Sequence, residues 1–453
     1  MSLLIAIVLL ISLFWQDLYA PAPPENLSAI LGNTILFALL APAFAAMQVC
    51  ITRWRHANEN RSQWYSRFRI MAIANTIVWA AASIAIVTLL QWSAFVQSVP
   101  VSTSVPLADD MLTVAPALLS LIGAWAIFIF GAPTGSLAKN KSRTSVFVLW
   151  LRMQVIMVTA PILFAFFITD CVRLAGAVEL SPSMQVAFLS MCGVVLVASI
   201  LFYPQMMLFV WSTRRIEDKT FELRCKKLFE LAGIRPRKVR VWKTGNSIVN
   251  AAAVGIVPGT EVIIVSDMLL EKFDEQEVDA ILLHEIGHIR HRHCIKRIAM
   301  VLVPLTLLAI DQATGCGLHQ FIGESKLLNG VEFASLPQFL PAVAFLIYLL
   351  VVSKTVFRSM EFEADRFAIE SQSKIGSPGG SDVNDRCAVE LALEKMAAIY
   401  PRQIDRRSGL HPSIRQRLAF AVEVHAEILG EKKPVDTCVP TPKSISLDPI
   451  AAK

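Results

Sequence analysis

The chain has 453 residues, 55% of them hydrophobic and 17% charged, with a mean hydropathy of +0.54. An ordinary soluble domain carries about 25% charged residues, so a wholly soluble or disordered chain is excluded. The net charge of +6 is no nucleic-acid footprint, because the basic residues cluster at the ends of apolar blocks.

A membrane-spanning helix needs about 20 largely apolar residues. The blocks that qualify are 2–19, 28–51, 70–94, 112–131, 146–169, 186–212, 297–315 and 337–356. The first is read as a retained helix rather than a cleaved signal. It lacks a basic start, and Tyr19-Ala20-Pro21 is a poor cleavage site.

Lys and Arg favour the cytoplasmic side. Arg53, Arg55, Arg61, Arg67 and Arg69 fill loop 52–69, and Lys139, Lys141 and Arg143 fill loop 132–145. Segments 20–27 and 95–111 have neither residue type, and 170–185 has Arg173 alone. This alternation predicts a cytoplasmic N-terminus and a membrane domain of about six helices over 1–212. Cytoplasmic parts at 213–296 and 357–430 are then separated by a membrane hairpin at 297–356, and a disordered tail follows at 431–453. The eight cysteines are scattered and form no CxxC, so neither a disulfide framework nor a cysteine zinc site is indicated. Cys171 and Cys316 are the pair this topology puts on the outer face.

Residues 217–233 read as an amphipathic helix. Three strand-like runs follow at Val239 to Trp242, Ser247 to Ile256 and Glu261 to Ser266. Val257-Pro258-Gly259-Thr260 predicts that the last two pair as a hairpin. Asp274 and Glu277 form a capping box, with Phe273 and Val278 at the staple positions, so a helix starts there. Helices are also predicted at 354–369, 387–400 and 413–429, with a flexible loop at 373–385.

The capped helix carries His284-Glu285-Ile286-Gly287-His288. Residues four apart share a helix face, so both imidazoles can bind one zinc ion, and catalytic zinc sites add a third protein ligand. Glu285 stands where it can take a proton from the attacking water. Downstream, Glu361 and Asp365 are again four apart. Glu361 is the expected third ligand, and Asp365 the acceptor that orients a ligand imidazole. Glu363 reads as a solvated carboxylate, and Arg290, His291, Arg292 and His293 as a basic flank at a membrane entry. The bland alternative for 361–365 is a charged amphipathic helix.

The HExxH, the membrane hairpin and Glu361-Phe362-Glu363-Ala364-Asp365 together resemble the HtpX and CAAX prenyl protease family of membrane zinc metallopeptidases. Asn250-Ala251 is similar to that family's Asn-Ala edge strand beside the cleft. His411-Pro412 followed by Arg417 is similar to its C-terminal His-Pro…Arg element. The resemblance covers roughly 220–425. It implies His284, His288 and Glu361 as ligands of one zinc ion and Glu285 as general base. It places His411 and Arg417 near the reacting carbonyl, and Asn250 and Ala251 beside the substrate. A His-Pro cap and an Arg–carboxylate pair are the plain alternatives for His411 and Arg417.

The expected fold is an α-helical polytopic membrane protein of about eight spans. Its small α+β, zincin-like catalytic domain faces the cytoplasm and is interrupted by the hairpin. The expected setting is a bacterial inner membrane. The expected activity is zinc-dependent cleavage of membrane-associated or misfolded proteins. Prenyl-peptide processing of the CAAX type and a metalloprotease-type signalling receptor are the enzyme-class alternatives. A membrane scaffold or transporter with a metal site is the non-enzyme alternative.

Overall fold

The structure, a computed structural model, describes residues 2–18, 26–55, 61–99, 105–132, 142–176, 181–246, 248–314, 336–375, 386–401, 404–405 and 411–430. The expected tail at 431–453, most of the 373–385 loop and Cys316 lie outside these residues. The chain divides into two compact units, Met1–Ser212 and Thr213–Lys453.

Apolar periodicity too dense for a single amphipathic face makes the first unit helical throughout. Its helices are Ser2–Leu18, Leu27–Arg55, Arg61–Thr88, Trp92–Ser98, Ala108–Gly131, Arg143–Trp150, Met157–Gly176 and Pro182–Val210. Among the described residues, four stretches are long and apolar enough to cross a membrane: Leu27–Trp54, Ile70–Thr88, Ala108–Gly131 and Arg143–Leu174. Ile5, Leu9, Trp79, Leu121 and Phe128 are buried in this unit's core. The helix expected over 70–94 stops at Thr88. Gln91 then takes a left-handed backbone (φ 56°), and Trp92 opens a separate short helix.

Three of the prolines inside helices share one arrangement. A helical proline lacks an N–H, so the carbonyl four residues earlier loses its partner. Pro116 orphans the Leu112 carbonyl, which accepts from Trp92 Nε1 at 3.0 Å. Pro161 orphans that of Met157, which accepts from the Tyr203 hydroxyl at 3.2 Å. Just before Pro161 the helix widens into a π turn over Leu151–Ile156. In the second unit Pro304 orphans the Met300 carbonyl, which accepts from the Tyr348 hydroxyl at 3.1 Å. In an apolar medium such carbonyls must find partners within the protein.

The second unit is built on a four-stranded sheet in the order β1-β2-β4-β3, with β1 Thr213–Arg215, β2 Lys238–Trp242, β3 Ala251–Val254 and β4 Val262–Ser266. β4 runs parallel to β2 and antiparallel to β3. All five β4 residues are buried, which explains a continuous Val-Ile-Ile-Val run in place of alternation. Helix Lys219–Leu231 buries Phe221, Cys225, Leu228 and Phe229. The HExxH helix spans Glu275–Arg290 and has the expected capping box. Helices Ala388–Ile399 and Ile414–Leu429 complete the core.

The segments expected as a membrane return and a separate helix are one helix, Leu336–Ile375. The apolar-to-charged change in composition near Lys354 does not end the helix. The loop expected from 373 therefore starts no earlier than 376.

Replacing Tyr348 by Phe leaves the Met300 carbonyl without that donor, a loss of about 1–3 kcal/mol for a buried group. Thermal unfolding in detergent should show Y348F less stable than the parent. The loss should shrink in a Pro304→Ala background, where the backbone N–H returns.

Candidate active site

The two halves of the site lie on different helices. Glu275–Arg290 presents His284, Glu285 and His288, and Leu336–Ile375 presents Glu361 and Asp365. The helices approach closely because of Gly287: a Cβ there would stand 3.2 Å from Ala364 Cα and 3.1 Å from Phe367 Cδ1. Ala364 and Ala368 are small and fully buried.

His284 and His288 both turn Nε2 toward Glu361, at 3.7 Å from Oε2 and 3.6 Å from Oε1. Ligand atoms of the three residues lie within 4.8 Å of one another. Two ligands each about 2.0–2.1 Å from a tetrahedral zinc stand about 3.4 Å apart. The spacing, the two imidazoles and the carboxylate therefore fit a zinc ion. Glu361 is 2% exposed. Burial works to raise its pKa, but bonds from His284 and His411 and the nearby His charges outweigh burial and hold it well below the carboxylate range.

Asp365 is fully buried directly behind His284, with Oδ1 2.8 Å from Nδ1. It also receives Arg417 through Nη2 at 2.6 Å and Nε at 2.9 Å. Burial opposes its charge, yet Arg417 and His284 bring the carboxyl down to about 2. His288, buried and beside other positive groups, is pushed well below its ordinary value and stays neutral.

Glu285 is buried, and burial raises its carboxyl pKa, with the charge of Glu361 adding to the rise. Its Oε2 accepts the Ala253 N–H at 2.7 Å. His411 Nδ1 lies 3.1 Å from Glu361 Oε2, on a side chain 55% exposed. Ser413, not His411, caps helix Ile414–Leu429. Arg417 reaches toward His284 Nδ1 at 3.3 Å, but its Nε and Nη2 are both given to Asp365.

A cleft of about 460 Å³ runs along β3 over these residues. Antiparallel pairing uses alternate residues of a strand. Asn250 takes part in the ladder, its carbonyl accepting from Ser266 N–H at 2.9 Å and its N–H donating to Ser266 Oγ at 3.0 Å. The outward-facing backbone groups therefore belong to Ala251 and Ala253. Sequence reasoning named Asn250 and Ala251 and missed Ala253, because the register against β4 decides which residues face the cleft.

Arg297 carries no motif in the sequence, and Glu363 and His293 stand differently from their sequence expectations. Arg297 Nη2 lies 3.0 Å from Glu361 Oε1. Glu363, expected to be solvated, instead pairs with His291 at 2.8 Å and His293 at 2.9 Å. His293, expected in an exposed flank, is 1% exposed. The helix ends at Arg290, and a turn with Arg292 in the left-handed region (φ 54°) folds His293 back toward His288.

Residues 215–423 match the model of peptidase family M48. A 108-residue stretch is 34% identical to "Protease HtpX homolog" of Pyrococcus abyssi (strain GE5 / Orsay), covering 23% of this chain and 37% of that protein. The match thus spans little more than a third of the curated relative. The crystal structure of S. mikatae Ste24p matches with a TM-score of 0.50 at 15% identity, over 88% of this chain and all of that one. At that identity the likeness is one of fold.

Arg417→Ala would leave the buried Asp365 charge without its cationic partner, with only the His284 Nδ1 bond remaining, and breaking a buried pair in this way costs about 3–5 kcal/mol. Gly287→Val would force the two helices apart, and overpacking of this kind costs about 1–3 kcal/mol. Thermal unfolding of the detergent-solubilised variants measures both. G287V should also weaken zinc retention, because it separates Glu361 from the two imidazoles.

Proposed function

We propose, from the match of residues 215–423 to the model of peptidase family M48, that this chain is a membrane-embedded zinc metalloendopeptidase. The observation that carries the reading is the triad His284 Nε2, His288 Nε2 and Glu361, with Glu285 beside it and the β3 edge along the cleft.

Zinc held by the triad supplies Lewis-acid polarisation of a peptide carbonyl and of water. The residues of the chain do the rest. Ala251, together with the carbonyl of Ala253 whose N–H is held by Glu285, presents backbone groups to which an extended substrate adds as one more strand. Glu285 takes the proton of the attacking water and passes it to the leaving amine. His411, exposed at the mouth of the triad, donates to the developing oxyanion. Arg417 supports that charge from behind while fixing Asp365, and Asp365 holds the Nδ1–H of His284 so that Nε2 faces the metal.

The substrates proposed are membrane-associated or misfolded proteins, cut at the cytoplasmic face of a bacterial inner membrane. Eight spans with the N-terminus inside account best for the alternating basic and bare loops. Helices at Ser2–Leu18, Pro182–Val210, His293–Thr314 and Leu336–Ile375 occupy the remaining expected blocks beyond the four spans above. The second reading, processing of prenylated peptides, rests on the likeness of Glu361-Phe362-Glu363-Ala364-Asp365 and His411-Pro412…Arg417 to the motifs of the CAAX prenyl proteases.

The test is cleavage of an unfolded membrane protein and of a prenylated peptide by the detergent-purified chain, with zinc measured on the same sample. Glu285→Gln should keep zinc and lose about 10²–10⁴-fold in rate. His411→Ala should lose about 10²–10³-fold in kcat. Glu285 must be ionised to act as base, so activity falls as pH drops through its raised pKa. The acid limb should therefore lie above the ordinary carboxylate range. A zinc-loaded parent that cuts neither substrate would sink the peptidase reading.

A further inference from the structure

The two imidazoles of the triad are backed differently. His284 Nδ1 meets the carboxylate of Asp365 directly. His288 Nδ1 instead lies 2.6 Å from Nδ1 of His293, whose Nε2 lies 2.9 Å from Glu363 Oε2. The long helix thus supplies the third ligand at Glu361 and, two and four residues on, the carboxylates that stand behind both imidazoles.

Two ring nitrogens 2.6 Å apart share one proton, so one donates and the other accepts. An ionised carboxylate only accepts. Nε2 of His293 must therefore carry a hydrogen toward Glu363, which leaves Nδ1 of the neutral ring as the acceptor. The shared proton then belongs to Nδ1 of His288. That assignment leaves the Nε2 lone pair of His288 facing Glu361 and the donor set. The polarity of the chain is set at its far end, by Glu363.

We propose that His293 and Glu363 are positioning residues for the metal: Glu363 selects the tautomer of His293, and His293 holds the Nδ1–H of His288. The inference rests on the reading that His288 is a zinc ligand. Neither residue touches substrate. The burial of His293 keeps water from replacing it as acceptor, whereas Glu363, 41% exposed, is further steadied by His291 and by Lys296 at 3.8 Å.

The test is zinc affinity, read by competition with a chelator of known strength on the full-length chain in detergent. His293→Ala should weaken zinc about 10–100-fold, the usual effect of removing a partner of a ligand imidazole. His293→Asn should recover most of that loss, because Asn Oδ1 stands near the position of Nδ1 and accepts from His288. Glu363→Ala should weaken zinc in the same direction. The double variant H293A/E363A should be no weaker than H293A, since both act through one chain of bonds.

A purely packing role for His293 predicts the opposite on two counts: no rescue by Asn, and a separate, additive effect of Glu363→Ala. Either result overturns the proposal, as does an H293A variant that holds zinc as tightly as the parent. Should H293A fail to fold, H293N and E363A alone decide: the proposal needs E363A weakened and H293N close to the parent. A parent chain that binds no zinc would overturn the metal reading itself, a result distinct from all of these.

Discussion

The site depends on how closely two helices can approach at Gly287 and Ala364. The two imidazoles come from one helix and the carboxylate ligand from another, more than seventy residues away in sequence. No local propensity holds them together. A Cβ at 287 would press on backbone as well as on Phe367, so the glycine inside the motif acts through interhelical distance. The pairing also explains why a small residue, Ala364, lies between the acidic ones and another, Ala368, follows one turn on.

Such a crossing would be costly if it carried only burial, because it also buries charge. Asp365 is fully buried, and an isolated carboxylate there would be expensive. Arg417, from a third helix, neutralises it through two bonds. The ion pair contributes little net stability compared with an apolar pair of similar shape. Its role is orientation: it makes Asp365 a fixed acceptor behind His284. The energetic penalty of a buried pair thus goes with a fixed ring position, and the C-terminal helix is joined to the site through a single guanidinium.

The parts of this arrangement legible in the sequence are those with a local period. His284 and His288 share a face because they are four apart, and the Asp274–Glu277 box marks where their helix begins. Glu361 and Asp365 follow the same rule. His293 has no such rule, since a turn breaks the helical phase between it and His288. Glu363 was read from its helix face alone, but its partners come from outside that helix. β1, a Thr-Arg-Arg triplet, carries no apolar alternation and is a strand only because β2 pairs with it. Hydropathy predicts a break near residue 354 because it follows composition, while the backbone bonds of Leu336–Ile375 continue through the change.

The three aromatic donors that cover proline-orphaned carbonyls have a consequence for how neighbouring helices are aligned along their lengths. In lipid, apolar side chains gain nothing by meeting one neighbour rather than another, so burial sets the depth of a helix only loosely. A bond from Trp92, Tyr203 or Tyr348 to one particular carbonyl is different. Sliding a helix by one turn, about 5.4 Å, would leave the donor facing a carbonyl already engaged in its own helix, and the orphan with nothing. Pro116, Pro161 and Pro304 therefore each mark one height on a helix, and the aromatic residue that finds the freed carbonyl pins a second helix at that height.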